Sequence, residues 1–249
     1  MRHLSIAAAL CALAFPVAAW AQQITVSAAA SLTEAFKELA PRFEAGRPGV
    51  TVRLNFAASG ALIQQIAQGA PVDVLASADQ ETMDRGVQQR LIDAPTRRNF
   101  ASNSLVLIEP AKDGVGLKTL QDLTRPTVKR IAVGKLATVP VGRYTKQALD
   151  AAKLWTVLEP RFVQADSVRQ VLDYVARAEV EAGFVYRTDA ALMGDRVKVV
   201  MSPPVTTPIT YPVAVVAHSR QKELAHAFAA YLLSDTAQQV LARHGFGKP

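Results

Sequence analysis

Serines and small residues stand where several helices are expected to begin. Ser31 follows Ala28-Ala29-Ala30 with Glu34 three residues on, the spacing of a capping box. Ser59-Gly60 precedes a second helical pattern and Pro140-Val141-Gly142 opens a third. Ser167 and Gln170 repeat the capping-box spacing around Val168. A helix start exposes backbone N–H groups with no partner inside the helix, together with a partial positive charge. Several such starts turned into one cleft make an anion site that needs no Lys or Arg. Serine is equally at home as an ordinary cap. The two roles are compatible, since its oxygen can accept from its own helix while its hydrogen points at an anion. Tyr186 closes the apolar run Gly183-Phe184-Val185-Tyr186. At the carboxyl end of a strand it is either a neutral donor facing a ligand or an amphipathic rim residue.

Catalytic patterns are weak by comparison. The histidines are His3, His218, His226 and His244, without metal-ligand spacing. Ser219-Arg220-Gln221-Lys222 fits Ser-x-x-Lys, but its companion motifs do not occur. Asp79 is expected to cap a helix and Asp73 to pair locally at a strand start, so the two do not read as an acid–base pair. Cys11 is the single cysteine. No phosphate loop, zinc-protease helix or nucleophile elbow is found. None of these patterns calls for catalysis, a cofactor or a direct metal ligand.

The net charge is +7, with Lys and Arg scattered over predicted helix faces rather than interleaved with aromatics. Nucleic acid is therefore a poor candidate partner, and most of these charges, Arg143 and Lys135 included, read as a solvated basic surface. At the start, Arg2 and His3 precede the apolar run Leu4 to Ala19, and Ala19-Trp20-Ala21 suits signal peptidase. An export signal over residues 1–21 is expected, with the mature chain beginning at Gln22. Leu10 occupies the position where a lipoprotein signal would need a small residue before Cys11. No later segment approaches about 18 consecutive apolar residues, so the mature chain is expected to be soluble.

The elements that must position the helix starts alternate. Ile24–Val26, Val50–Phe56 and Val72–Ala76 read as strands, with helices over Leu32–Phe43, Ala61–Ala67 and from Asp79 to about Val87. A second set follows: strands at Leu105–Ile108, Ile131–Val133, Phe162-Val163, Ala182–Val185 and Val197–Met201, with helices at Leu117–Leu123, Gly142–Ala152 and Val168–Ala178. Pro and Thr crowd residues 203–212 as a loop. Val213–Ala217 is a strong strand, and Lys222–Leu232 and Thr236–Leu241 are closing helices. This order implies an α/β fold with mostly parallel sheets flanked by helices.

A set of short motifs then carries a resemblance: Ala28-Ala29-Ala30-Ser31-Leu32, Asn55-Phe56-Ala57-Ala58-Ser59, Gly69-Ala70-Pro71-Val72-Asp73-Val74, Ala76-Ser77-Ala78-Asp79-Gln80, Asn103-Ser104-Leu105-Val106, Val139-Pro140-Val141-Gly142-Arg143-Tyr144, Gly183-Phe184-Val185-Tyr186 and Tyr211-Pro212-Val213-Ala214-Val215-Val216. In this order and spacing the mature chain resembles the periplasmic molybdate-binding proteins of ABC importers (the ModA family), within the type II solute-binding fold. The resemblance implies two lobes, residues 24–102 with 213–249 and residues 103–212, joined by hinge crossings near Asn103-Ser104 and Tyr211-Pro212. It implies a periplasmic monomer that binds molybdate or tungstate and delivers it to a membrane permease. The hydroxyls and N–H groups of Ser31 and Ser59, the backbone N–H of Val141 and of Val168, and the Tyr186 hydroxyl would hold the oxyanion. Two departures stand out. Val141 replaces an expected alanine, which a backbone donor tolerates, and Ala58 replaces a serine that some members carry. The alternatives are the same fold binding sulfate or a small carboxylate, and an enzyme on this fold. A carboxylate binder calls for an Arg clamp and an enzyme for a general acid or base. Neither is found at the five positions.

Overall fold

A computed structural model describes residues 22–249. The expected export signal lies outside the described residues. In chain order the first group of elements is β1 (Gln22–Ala29), α1 (Thr33–Ala45), β2 (Val50–Ala57), α2 (Ser59–Ala67), β3 (Val74–Ala76), α3 (Gln80–Gln88) and β4 (Arg98–Asn103). The second is β5 (Leu105–Pro110), β6 (Ile131–Gly134), α4 (Pro140–Ala151), α5 (Trp155–Leu158), β7 (Phe162–Ala165), α6 (Val168–Ala176), β8 (Ala182–Tyr186), α7 (Arg187–Leu192) and β9 (Val197–Met201). The chain ends with β10 (Ile209–Val215), α8 (Lys222–Tyr231) and α9 (Asp235–Arg243).

The strands form two sheets, ordered β2-β1-β3-β10-β4 and β7-β6-β8-β5-β9. Both are mixed. β1 pairs parallel with β2 and β3, and β6 with β7 and β8, as helix crossovers require. β10 runs antiparallel to β3 and β4, and β5 antiparallel to β8 and β9. Each antiparallel insertion is a strand adjoining a passage between the sheets, so it enters from the opposite end.

β4 ends at Asn103 in the first sheet and β5 begins at Leu105 in the second, so the first passage is Ser104. The second passage occupies residues 202–208. Ile209 already pairs with Asn103, and Tyr211 with Ala101, which puts residues 209–212 in the first sheet. The Pro- and Thr-rich loop is therefore shorter than its composition suggested, and the crossing precedes Tyr211-Pro212. β4 itself has no strong pattern in sequence. It does not alternate: at this sheet edge the neighbours Phe100 and Ala101 are both buried, and the neighbours Arg98 and Asn99 both exposed. The expected helix at Leu117–Leu123 reduces to a 3-10 turn at Gln121–Thr124.

One apolar core runs through both sheets, and a smaller one lies between α2, α3 and β3 around Leu62, Ile66, Leu75 and Met83. An aromatic group anchors α1 and α8 to the first sheet. Phe36 meets Phe100 and Phe228 at ring-centroid distances of 6.0 and 6.1 Å, and Phe43 meets Phe228 edge-on at 5.1 Å. Such tilted pairs add to the burial of the rings themselves. A second aromatic run, Tyr144, Tyr186, Tyr211 and Phe246, crosses from the second sheet to the first at successive separations of 6.4, 5.8 and 5.4 Å. No helix among the described residues is long and apolar enough to cross a membrane.

Candidate functional site

Five predicted site residues come together. Ser31, Ser59, Val141, Val168 and Tyr186 line one small cavity, with Ala58, Ala78 and Pro140 among its other walls. Ser59 and Val168 are the first residues of α2 and α6, and Val141 is the second of α4. First-turn N–H groups have no acceptor within their own helix. All three helix starts therefore aim donors and the positive end of a helix dipole at one space. Tyr186 ends β8 at the same level.

These positions follow from local sequence. Ala58 is extended, so α2 starts sharply at Ser59. Pro140 opens α4, where its missing N–H costs nothing. Ser167 caps α6, its hydroxyl oxygen accepting from Gln170 N at 3.2 Å. The Gln170 side chain accepts from Asp166 N at 2.6 Å, one residue earlier than a reciprocal capping box would have it. Ser31 departs further from expectation. It lies within a 3-10 turn, Ala30–Leu32, and α1 has no side-chain cap. Its hydroxyl is free of its own helix and sits 3.1 Å from the Tyr211 hydroxyl.

All five residues are buried, at 5 % exposure or less, so a guest in this cavity gives up its water. Uncharged groups must replace that water, because among the described residues no Lys, Arg, His, Asp or Glu lines the space. Burial first, then the neighbouring Tyr211, Tyr144 and Asp79, pushes the Tyr186 phenol well above its ordinary value, so it stays a neutral donor. Ser59 Oγ accepts from Ala78 N at 3.0 Å, which leaves the serine hydrogen to point elsewhere. Tyr186 Oη is 3.5 Å from Ala78 O, a weak contact that does not hold its hydrogen firmly.

The two lobes touch around the cavity. Gly60 N donates to Thr138 O at 2.9 Å, a backbone bond from α2 to the turn before α4. Arg169 of α6 reaches Glu34 of α1 at 2.7 Å. Arg143 reads differently from its sequence. Its side chain is only 12 % exposed, and it donates to the Asp79 carboxylate, Thr82 Oγ1 and Leu136 O. Spent on these partners, its charge does not face the cavity. Lys135 does remain at the surface, paired with Asp166. Sequence reasoning missed Asn103, Thr138 and Tyr211 as participants. Asn103 and Tyr211 fall within the quoted motifs, but no local pattern says what they touch.

The weak catalytic patterns resolve into structure. Ser219 Oγ donates to Asp73 Oδ1 at 2.7 Å and accepts from Gln221 N at 3.0 Å, so it fixes the loop before α8. Asp73 also accepts from Thr25 N at 2.8 Å. Asp79 caps α3 through Thr82 N at 3.3 Å. His244 pairs with Glu38 at 2.9 Å on the first lobe's surface. Among the described residues no three His, Cys, Asp or Glu side chains are grouped to hold a metal ion.

Comparison with known proteins agrees with this architecture. The chain is 39% identical to the molybdate-binding protein ModA of Escherichia coli over 230 residues, 90% of this chain and 88% of that one. Its fold superposes on the periplasmic molybdate-binding protein of Azotobacter vinelandii with a TM-score of 0.77 and 25% identity, over 91% of this chain and 99% of that one. The sulfate-binding protein SubI of Mycobacterium tuberculosis shares the fold, at a TM-score of 0.79 and 22% identity over 90% of this chain and 86% of that one. The family model for bacterial extracellular solute-binding proteins matches residues 24–247. With its two lobes, the cavity where they meet and a near full-length match, the chain belongs to the bacterial extracellular solute-binding protein family.

Proposed function

We propose that the chain captures molybdate or tungstate in the periplasm and hands it to the membrane permease of an ABC importer. One observation carries the reading: uncharged donors from both lobes converge on one small buried cavity. Ser31 and Ser59 come from the first lobe, and Val141, Val168 and Tyr186 from the second. A ligand held by both sets stabilises the closed form, and Ser104 and residues 202–208 serve as the hinge.

Donors alone suit a fully ionised oxyanion. Molybdate and tungstate near neutral pH are dianions whose oxygens only accept. Phosphate keeps a proton there, and burying that proton without an acceptor costs about 1–3 kcal/mol. Sulfate has no such proton, so size must exclude it. A cage built for the longer metal–oxygen bonds stretches every contact to the smaller ion. Hydrogen bonds to a charged group contribute roughly 1.5–3 kcal/mol each, and dianion desolvation and lobe closure offset much of their sum. Capture rather than chemistry suits this lining, whose described residues are neutral, whereas an enzyme would call for a general acid or base in the cleft. The relatives named for molybdate support the same ligand class.

Calorimetric titration of the protein beginning at Gln22 with molybdate, tungstate, sulfate and phosphate tests this. Tight binding of the first two alone is expected. Tight binding of sulfate with none of molybdate overturns the ligand assignment and leaves a same-fold sulfate carrier.

A further inference from the structure

We propose that Asn103 and Tyr211, neither of which lines the cavity, set the direction of the Ser31 hydroxyl and so make the site discriminate against protonated oxyanions. This rests on the oxyanion reading above.

The direction can be read from one end. Ser104 N donates to Asn103 Oδ1 at 2.9 Å, which identifies the oxygen end of that amide. The nitrogen end must then donate, and it does so to Thr188 Oγ1 at 2.9 Å and to Tyr211 Oη at 3.2 Å. Tyr211 is fully buried, and burial raises its phenol far above the ordinary value, so the oxygen keeps its hydrogen. That hydrogen has one remaining partner among the described contacts, Ser31 Oγ at 3.1 Å. Were Ser31 to donate instead, the phenol hydrogen would be stranded in the core, an arrangement that buried polar groups avoid. Tyr211 therefore donates, Ser31 accepts, and the serine hydrogen is left for the cavity.

Ser59 is committed in the same sense by a different donor, the Ala78 N–H. Both serines thus present hydrogens to a guest, alongside backbone N–H groups that cannot reverse. Among the described residues, Tyr186 is the hydroxyl at the cavity without such a donor behind it. A ligand oxygen that carries a proton meets hydrogen against hydrogen at Ser31. Asn103 ends β4 beside the passage at Ser104, and its contact with Thr188 ties it to α7 of the other lobe.

Tyr211→Phe keeps the ring and removes the donor. The Ser31 hydroxyl can then turn and offer a lone pair to a protonated guest. Molybdate and arsenate distinguish the cases, because at about pH 8 arsenate is a singly protonated dianion while molybdate carries no proton. Affinities for both ions are measured by competition for the wild type, Y211F, Asn103→Ala and the double variant. The expected result is a loss of about tenfold for molybdate in Y211F, with arsenate weakened less or improved, so that the molybdate-to-arsenate ratio narrows about tenfold. N103A should narrow the ratio in the same direction and add nothing further when combined with Y211F. A purely structural role weakens both ions alike, and an unchanged ratio in Y211F overturns the relay while leaving the oxyanion reading intact. Failure of the wild type to bind molybdate removes that reading and this inference together.

Discussion

The guanidinium of Arg143, on the second lobe, packs against the carboxylate of Asp79 on the first, with Nε donating at 2.9 Å. Their side chains are 12 % and 5 % exposed, so the pair is largely desolvated where the lobes meet. Glu81 adds a second carboxylate 3.3 Å from the same nitrogen. The pair bridges the lobes and lies outside the cavity.

Arg143→Met should therefore act on release. Removing one partner of a buried pair across an interface usually raises the off-rate and costs about 2–5 kcal/mol. Here lobe opening lets water reach Asp79, which puts the expected loss near the low end, about 2 kcal/mol. Stopped-flow release of molybdate should quicken more than tenfold with little change in arrival rate. An unaltered release rate means the pair does not hold the lobes closed. Asp79 is the poorer target, since it also caps α3.

Ser59→Ala should lower molybdate affinity by about ten- to a hundredfold, the loss of one hydrogen bond to a charged group. It should also lower stability by about 1 kcal/mol, because the buried Ala78 N–H loses its acceptor. Titration and thermal melts of the same preparation separate the two effects. Full affinity with reduced stability would show that the hydroxyl serves Ala78 alone.

What was legible beforehand divides by distance along the chain. Ser59, Val141 and Val168 stand at helix starts, and helix starts are written in local sequence: a sharp extended residue, a proline, a capping serine. Ser31 lines the cavity although the local role expected of it fails. The Ser31–Glu34 spacing suggests a capping box, but a 3-10 turn carries the chain into α1, and the hydroxyl turns to Tyr211, 180 positions away. Arg143 read as solvated because Asp79 is 64 positions away, and no periodicity encodes a pairing across a cleft. β4 carries no period-two signal, because its two buried residues, Phe100 and Ala101, are neighbours rather than alternates. The second passage was placed late because residues 209–212 look like loop and become strand only by pairing with β4.

Asp189 gives a pH dependence with a definite sign. It is fully buried at the start of α7, and burial raises its pKa from 3.8 to about 7, against the opposing charge of Arg169. Arg169 Nε is 2.8 Å from Asp189 Oδ1 but off the line of a hydrogen bond, which leaves desolvation dominant. An acid with a raised native pKa favours the folded state below its unfolded value and loses that contribution as pH rises through the native one. The stability due to this group should thus be complete below about pH 4 and gone above about pH 7. Asp189→Asn removes the titration. The melting temperature of the wild type relative to D189N should fall between those limits. Parallel curves for the two proteins would show that Asp189 does not titrate in that window.

Gly60 tests whether closure itself supplies affinity. Its N–H donates to Thr138 O across the cleft, and the two backbones touch because glycine has no side chain there. A Cβ at this position would stand 2.6 Å from Thr138 Cα and 2.7 Å from its carbonyl oxygen. Both are backbone atoms, so the lobes must separate to make room. Within α2 alone, alanine is the better residue by about 1 kcal/mol. Gly60→Ala should therefore leave the ligand-free protein as stable as the wild type or slightly more so, while weakening molybdate binding at least tenfold. Small-angle scattering of the loaded variant should show a larger radius of gyration than the loaded wild type. Affinity must fall without a fall in stability, since stability reports the helix and affinity the meeting of the lobes. A variant that binds as tightly as the wild type would mean that the donors reach their guest without the Gly60–Thr138 contact, and that closure to this distance is not what holds the ion.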